Sequence, residues 1–313
     1  MISLRYHVVS IGAVFLALAV GVVLGSTTLS GTLLSGLNDE KSQLGQQVSD
    51  LQDKNNGLNA RLARADDFAK VVGPMALRGS LDKRTVVVIS TDDARPADRD
   101  AIKNLVKSAG AMVTGEVQLT SAFSDPSRTD QLRGVVTRLL PTGVQLPTAG
   151  DPGTLAGGLI GPLVLISKEN NQPQASDDET SAAFAGLTDG GFVKVSEGFR
   201  PAQLAVVLIG GAESGQGAGD RASTIARFAT QVDRSGAGTV LAGTTHSADG
   251  TGPIGVVRAD TAATSILSTV DNVDSASGQI VTVLALREQL EGKSGRYGVA
   301  GNAQAVGPGA PQG

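Results

Sequence analysis

Between Val8 and Leu24 the chain carries no Asp, Glu, Lys, Arg, Asn or Gln, inside an apolar run from His7 to Thr28. About 18–22 such residues in one helix cross the hydrocarbon layer of a bilayer. The run predicts a membrane anchor over residues 1–30 and places the rest of the chain beside a membrane. Ala17-Leu18-Ala19 is similar to a signal-peptide cleavage site, but the apolar stretch continues through Val20, Val22, Val23 and Leu24. That continuation favours a retained anchor over a cleaved signal. Arg5 precedes the run and the next basic residue is Lys41. The positive-inside bias therefore predicts a cytoplasmic N-terminus and an extracytoplasmic bulk. Gly21 and Gly25 form a G-x-x-x-G pair, which suits either helix association or a lipid-facing surface.

A second pattern follows directly. Leu37, Leu44, Leu51 and Leu58 recur every seven residues, and Lys41, Val48, Asn55 and Leu62 come four positions after each. Leu34 and Ala65 extend the pattern at its ends. The spacing predicts a coiled-coil stalk over 31–70, reaching about 50 Å from the membrane. A single amphipathic helix packed on its own domain is the competing reading. A parallel homodimer through Leu37, Leu44, Val48, Leu51, Asn55, Leu58 and Leu62 is the simplest assembly, because both chains start in the same membrane. Reading the leucines as a positions leaves a trimer open.

Gly73-Pro74 predicts a hinge over 71–84, followed by an extracytoplasmic α/β domain over 85–291. The runs TVVVIS, LAVVLIGG and TVLAG are continuously apolar, as in strands buried on both faces. Thr85–Ser90, a helix over Asp98–Ala109 and Ala111–Leu119 read as a β-α-β unit, hence a mostly parallel sheet. Leu204–Gly211, Thr239–Gly243, Ile254–Val257 and the interrupted Leu159–Ser167 read as further strands. Thr129–Leu140, Ser176–Leu187, Arg221–Arg234 and Gln279–Glu291 read as helices. Ser121–Ser127 and Pro141–Gly158 read as loops, and 292–313 as a disordered Gly/Ala/Pro-rich tail. A transmembrane β-barrel is excluded: Trp is absent, Tyr6 and Tyr297 are the two tyrosines, and no alternating ten-residue segments recur.

The chemistry is sparse. With no cysteine there is neither disulfide nor thiolate ligand. The two histidines, His7 and His246, and the three methionines show no H-x-H or M-x-x-M spacing. His246 is the single candidate metal ligand, and a satisfied loop histidine is its plainer reading. Gly210–Gly217 follows a strand and precedes a helix, where a phosphate cradle would sit. It lacks the Gly-Lys-Ser/Thr ending, and Glu213 adds negative charge. Asp92 and Asp93 follow the first strand, where acid–base residues or ordinary turn residues both belong. No nucleophile elbow or Ser/His/Asp set occurs. The expectation is a non-enzymatic protein without a cofactor. A net charge of −4 argues against nucleic acid as a partner.

Ile2-Ser3-Leu4-Arg5-Tyr6-His7, continuing through Val14–Gly21 to Gly25, resembles the start of the actinobacterial MctB family of copper transport proteins. The heptads, Gly115–Thr120, Ser268–Val273 and Ser294–Gly298 agree with it, so the resemblance spans nearly the whole chain. It implies a pore-forming envelope protein, described as acting in the outer membrane, that keeps intracellular copper low, with copper as the transported ion. It carries over no ligand or catalytic residue. Related corynebacterial proteins resemble septal factors that bind a protein of the cytoplasmic membrane and influence a peptidoglycan hydrolase. A coiled-coil adaptor of that kind is the alternative expectation.

Overall fold

The computed structural model describes residues 4–148 and 150–309, apart from the side chains of residues 26–39. It divides into a unit ending at Ala65 and a unit beginning at Asp66, and helix α1 (Leu4–Ala76) runs through the division. In the first unit α1 is uninterrupted. Its Leu4–Gly25 stretch is long and apolar enough to cross a membrane, and none of it is buried. Leu44, Val48, Leu51, Leu58 and Leu62 are exposed along the helix. Leu37 lies outside the described side chains.

The second unit contains β1 (Thr85–Thr91), α2 (Pro96–Ser108), β2 (Met112–Leu119), α3 (Ser121–Ser124), α4 (Thr129–Arg138), α5 (Pro152–Val164), α6 (Asp177–Asp189) and β3 (Val193–Val195). It continues with β4 (Leu204–Ile209), α7 (Ala218–Asp233), β5 (Gly238–Gly243), α8 (Pro253–Ala259), α9 (Thr261–Thr264), β6 (Ser268–Val270), α10 (Ala276–Leu290) and β7 (Arg296–Tyr297). Seven strands form one open sheet in the order β3-β2-β1-β4-β5-β6-β7. β3 runs antiparallel to β2, and the other neighbouring pairs are parallel. The open α/β sheet agrees with the expected class.

Both faces of the sheet are covered, which explains why its strands are apolar throughout rather than alternating. Val87, Ile89, Val117, Leu119, Val207 and Leu241 point into a large core shared with α4 to α9. Val86, Leu204, Val206, Leu208, Val240 and Val270 point into a second core with Leu77, α2 and α10.

Five expectations are corrected. First, the helix does not break at Gly73-Pro74. Pro74 removes only its own N–H, and the Leu77 N–H donates to Gly73 O at 3.0 Å. Gly73 is a contact point, since a Cβ there would stand 2.6 Å from Ile280 Cδ1 of α10.

Second, the Pro/Gly-rich stretch from residue 152 and the expected strand as far as Val164 form α5, which is buried almost end to end, and of the expected strand Leu165 alone makes a β-bridge, parallel to Ala202. Gly153, Gly157 and Gly161 lie four apart on one face and let α5 approach the backbone of α7. A Cβ at Gly157 would stand 2.9 Å from Phe228 O. Asp151 caps α5 by accepting from the Thr154 N–H at 2.9 Å.

Third, Ile254–Val257 belongs to helix α8, with Pro253 in its first turn. Fourth, Ser121–Ser127 is not an open loop but α3, followed by a 3-10 turn at Pro126–Arg128.

Fifth, residues 292–309 do not form a disordered tail. Arg296–Tyr297 is the last strand, and the Gln304 N–H donates back to Arg296 O at 2.8 Å. Composition concealed one anchoring side chain, Tyr297, which is 3% exposed.

Asp66 joins the end of α1 to α10. Its Oδ1 accepts from the Ala276 N–H at the start of α10 at 2.5 Å, and its Oδ2 pairs with Lys70 Nζ at 2.9 Å. Burial pushes the Asp66 carboxyl up, but the bonds from Lys70 and Ala276 outweigh it and hold the group below the usual carboxylate range.

Candidate functional site

In an open α/β sheet, ligands bind beyond the carboxyl ends of the strands where the strand order reverses. Here the chain leaves β1 for β2 on one side and returns to β4 on the other. The switch point therefore lies between the ends of β1 and β4. It brings together two segments singled out in the sequence, Asp92-Asp93 and Gly210–Gly217.

The crevice between them is closed by its own residues. The Asp93 carboxylate fills the place where a side chain on Gly210 would stand, and it accepts a hydrogen bond from Thr91 Oγ1. Arg221 of α7 is occupied by the glycine-rich loop. Its Nε donates to Glu213 Oε2 at 2.9 Å, Nη1 to Gln216 O at 2.8 Å and Nη2 to Ser214 O at 2.5 Å. Arg95 grips Asp98 with two bonds of 2.7 and 2.8 Å. Three carboxylates, with both arginines already paired off, make a poor cradle for phosphate, which needs free backbone N–H groups and positive charge.

His246 follows β5 with a φ of 75°. Its side chain is 73% exposed, and Nδ1 lies 3.0 Å from Asp249 Oδ2. Among the described residues no three His, Cys, Asp or Glu side chains come together to hold a metal ion. The heptad residues Leu44, Val48, Leu51, Asn55, Leu58 and Leu62 lie along α1, and Asn55 Oδ1 accepts from Asn59 Nδ2 at 2.7 Å.

Two polar centres escape the sequence reading. Arg258 of α8 and Asp271 after β6 pair inside the domain, Nη1 to Oδ2 at 2.6 Å. Ser268–Val273 was visible as a motif, but Arg258 was hidden beside a segment read as a strand. Asp233, the last residue of α7, lines a cleft of about 660 Å³ with Lys168, Arg234, Ser265 and Gln289. Its Oδ1 accepts from the Thr239 N–H at 2.7 Å. Burial pushes this carboxyl up to about 7, against the smaller opposing pull of the Thr239 N–H, Lys168 and Arg234. No spacing marks it in the sequence.

Fold and sites together define a class: a doubly wound α/β domain with a self-closed switch point, on a chain whose N-terminal helix is apolar enough to cross a membrane. The family described as "Copper transport outer membrane protein, MctB" matches residues 1–308. A protein of Mycobacterium tuberculosis named "Copper transporter MctB" is 39% identical over 311 residues, covering 98% of this chain and 99% of the relative. One of the same name from Mycobacterium leprae is 41% identical over 314 residues, with the same coverage of both chains. The chain belongs to the MctB family.

Proposed function

We propose that this protein serves copper export in the cell envelope, keeping intracellular copper low, with α1 as its membrane anchor. The observation that carries this reading is family membership over residues 1–308, with relatives named as copper transporters. Copper here is cargo. A transported ion needs brief contacts along a path rather than a tight cage, so the sparse ligand set is compatible with passage. A single candidate span, the one found among the described residues, cannot enclose a pore, so a pore would need further chains beside it, and self-association of α1 is the first step toward that. Arg5 before the run and Lys41 as the next basic residue after it support a cytoplasmic N-terminus and an extracytoplasmic α/β domain.

A second reading is a non-enzymatic coiled-coil adaptor at the septum that regulates a peptidoglycan hydrolase through its α/β domain. The exposed apolar side chains from Leu44 to Leu62 favour it, because they suit an interaction rod without requiring a lumen.

The test is cell-associated copper, zinc and iron in a deletion strain after copper challenge, with and without the gene restored. A rise in copper alone, reversed by the gene, is the expected result. A rise in all three metals with unseparated cells would replace export by the adaptor reading.

A further inference from the structure

We infer that α1 pairs with a second copy of itself as a two-stranded, parallel, in-register coiled coil whose register is set by Asn55. This deepens the self-association on which the proposed function rests. The order of the spacings decides the assignment. In a heptad the step from a to d is three residues and from d to a is four. Leu44 to Val48 and Leu51 to Asn55 are steps of four, while Val48 to Leu51 and Asn55 to Leu58 are steps of three. The leucines are therefore d positions, and Lys41, Val48, Asn55 and Leu62 are a positions. This reverses the assignment that left a trimer open. Leucine at every d position, with β-branched Val48 and polar Lys41 and Asn55 among the a positions, favours two parallel strands.

Three further observations favour a second copy as the occupant. The apolar seam residues Leu44, Val48, Leu51, Leu58 and Leu62 are all more than half exposed, and α1 is unbroken across them. Val48, Leu51, Gln52, Asn55 and Asn56 frame a surface depression, and the first four are the a, d, e and a positions that form the hole for a d-position knob. Leu51 of a second copy would fill that hole. The flanking g-to-e pairs across a parallel dimer would be Glu40 with Gly45, Gln47 with Gln52 and Lys54 with Asn59, none of them a like-charge pair. Parallel register also sets each Asn55 against the other Asn55. An antiparallel partner would bury it against leucine.

The chain has no cysteine, so single cysteines report proximity cleanly. Full-length protein in detergent micelles would carry either Leu51→Cys, at the seam, or Asp53→Cys, on the outer face. Oxidation should cross-link the first at least about tenfold faster than the second. Native mass spectrometry of the unaltered chain should give two copies, and Asn55→Leu should spread that into mixed assemblies. Equal cross-linking rates, a mass of one or three chains, or an Asn55→Leu variant that stays strictly two-stranded would each overturn the inference. None of these readouts involves copper. Failure of the metal-content experiment therefore leaves the pairing standing, and failure here leaves the copper role to be judged by its own test.

Discussion

Arg258 and Asp271 form an ion pair sealed inside the α/β domain, with Nη1 2.6 Å from Oδ2 and side chains only 2% and 1% exposed. Every other polar atom of the pair is directed at the last segment of the chain or its neighbours. Arg258 donates to Tyr297 O at 2.7 Å, Asn302 Oδ1 at 2.7 Å and Thr269 Oγ1 at 3.1 Å. Asp271 Oδ1 accepts from the Val299 N–H at 2.8 Å and the Ala300 N–H at 3.2 Å. Gly298, at a φ of 133°, passes so close to the carboxylate that a side chain there would overlap it. The pair thus clamps residues 296–302 onto β6. It explains why two segments distant in sequence, Ser268–Val273 and Ser294–Gly298, meet in space.

Breaking the clamp from one side leaves a buried charge without its partner, a loss of about 3–5 kcal/mol. Asp271→Asn should lower the melting temperature by roughly 6–20 °C, taking about 2–4 °C per kcal/mol for a domain of this size. It should also open residues 299–309 to proteolysis before the rest of the domain. Replacing both members, Arg258→Met with Asp271→Leu, should recover part of the stability but not the protection of that segment. Thermal unfolding with timed proteolysis checks both; a single variant as stable as the parent would show that the pair is not the clamp.

The sheet was legible in the sequence where runs were long and uniform: Thr85–Thr91, Leu204–Ile209 and Gly238–Gly243 announce buried parallel strands by being apolar throughout. β3 and β6 have three residues each, too few for any period to show. α5 was lost because the Gly and Pro of its first half read as loop and its second half as an interrupted strand, although glycines four apart mark a helix pressed against another helix. The switch-point residues were identifiable by their order after strands. Their closure was not, because it depends on Asp93 meeting Gly210 across the sheet. Asp233 was invisible for the same reason, since its chemistry comes from burial at the end of α7.

Asp233 makes stability depend on pH in an unusual direction. Its folded pKa of about 7 lies above the ordinary carboxylate value of 3.8, so the folded state holds this proton more tightly than the unfolded chain. The stabilisation it contributes is complete below pH about 4 and is lost as pH rises through about 7, by an amount on the order of a few kcal/mol. Asp233→Asn keeps an oxygen for the Thr239 N–H and removes the titration. The variant should be more stable than the parent at pH 8, and the difference should shrink steadily toward pH 4. Chemical denaturation of both proteins at several pH values measures that difference directly. A constant offset would mean that the carboxyl does not titrate in this window.

Glu179 works in the opposite sense at the surface. The Thr142 N–H at 2.8 Å, the Ser176 N–H at 3.0 Å and Ser176 Oγ at 2.8 Å all donate to its carboxylate. Led by the Thr142 N–H, these bonds hold it down to about 2. The contribution of the ionised group is present above its ordinary pKa and is lost as pH falls through about 2. Glu179 also ties residue 142 to the start of α6, so Glu179→Ala should release the segment between α4 and α5. Hydrogen exchange of Thr142 to Val144 should speed up in the variant at neutral pH and in the parent only near pH 2.

The glycines of this fold divide by what surrounds them, and alanine substitution separates the two kinds. At Gly153 in α5 a Cβ would run into the carbonyl of Thr224 on α7, a backbone atom that cannot swing aside. Gly153→Ala should therefore push α5 off α7 and cost about 1–3 kcal/mol, as overpacking does in a filled core. Gly134 in α4 has nothing within 4 Å of its Cβ position. Gly134→Ala should instead stabilise by about 0.5–1 kcal/mol, because alanine has less freedom to lose on entering a helix. Equilibrium unfolding of the two variants beside the parent should give shifts of opposite sign. Shifts of the same sign would contradict the close approach of α5 to α7 on which the larger core is built.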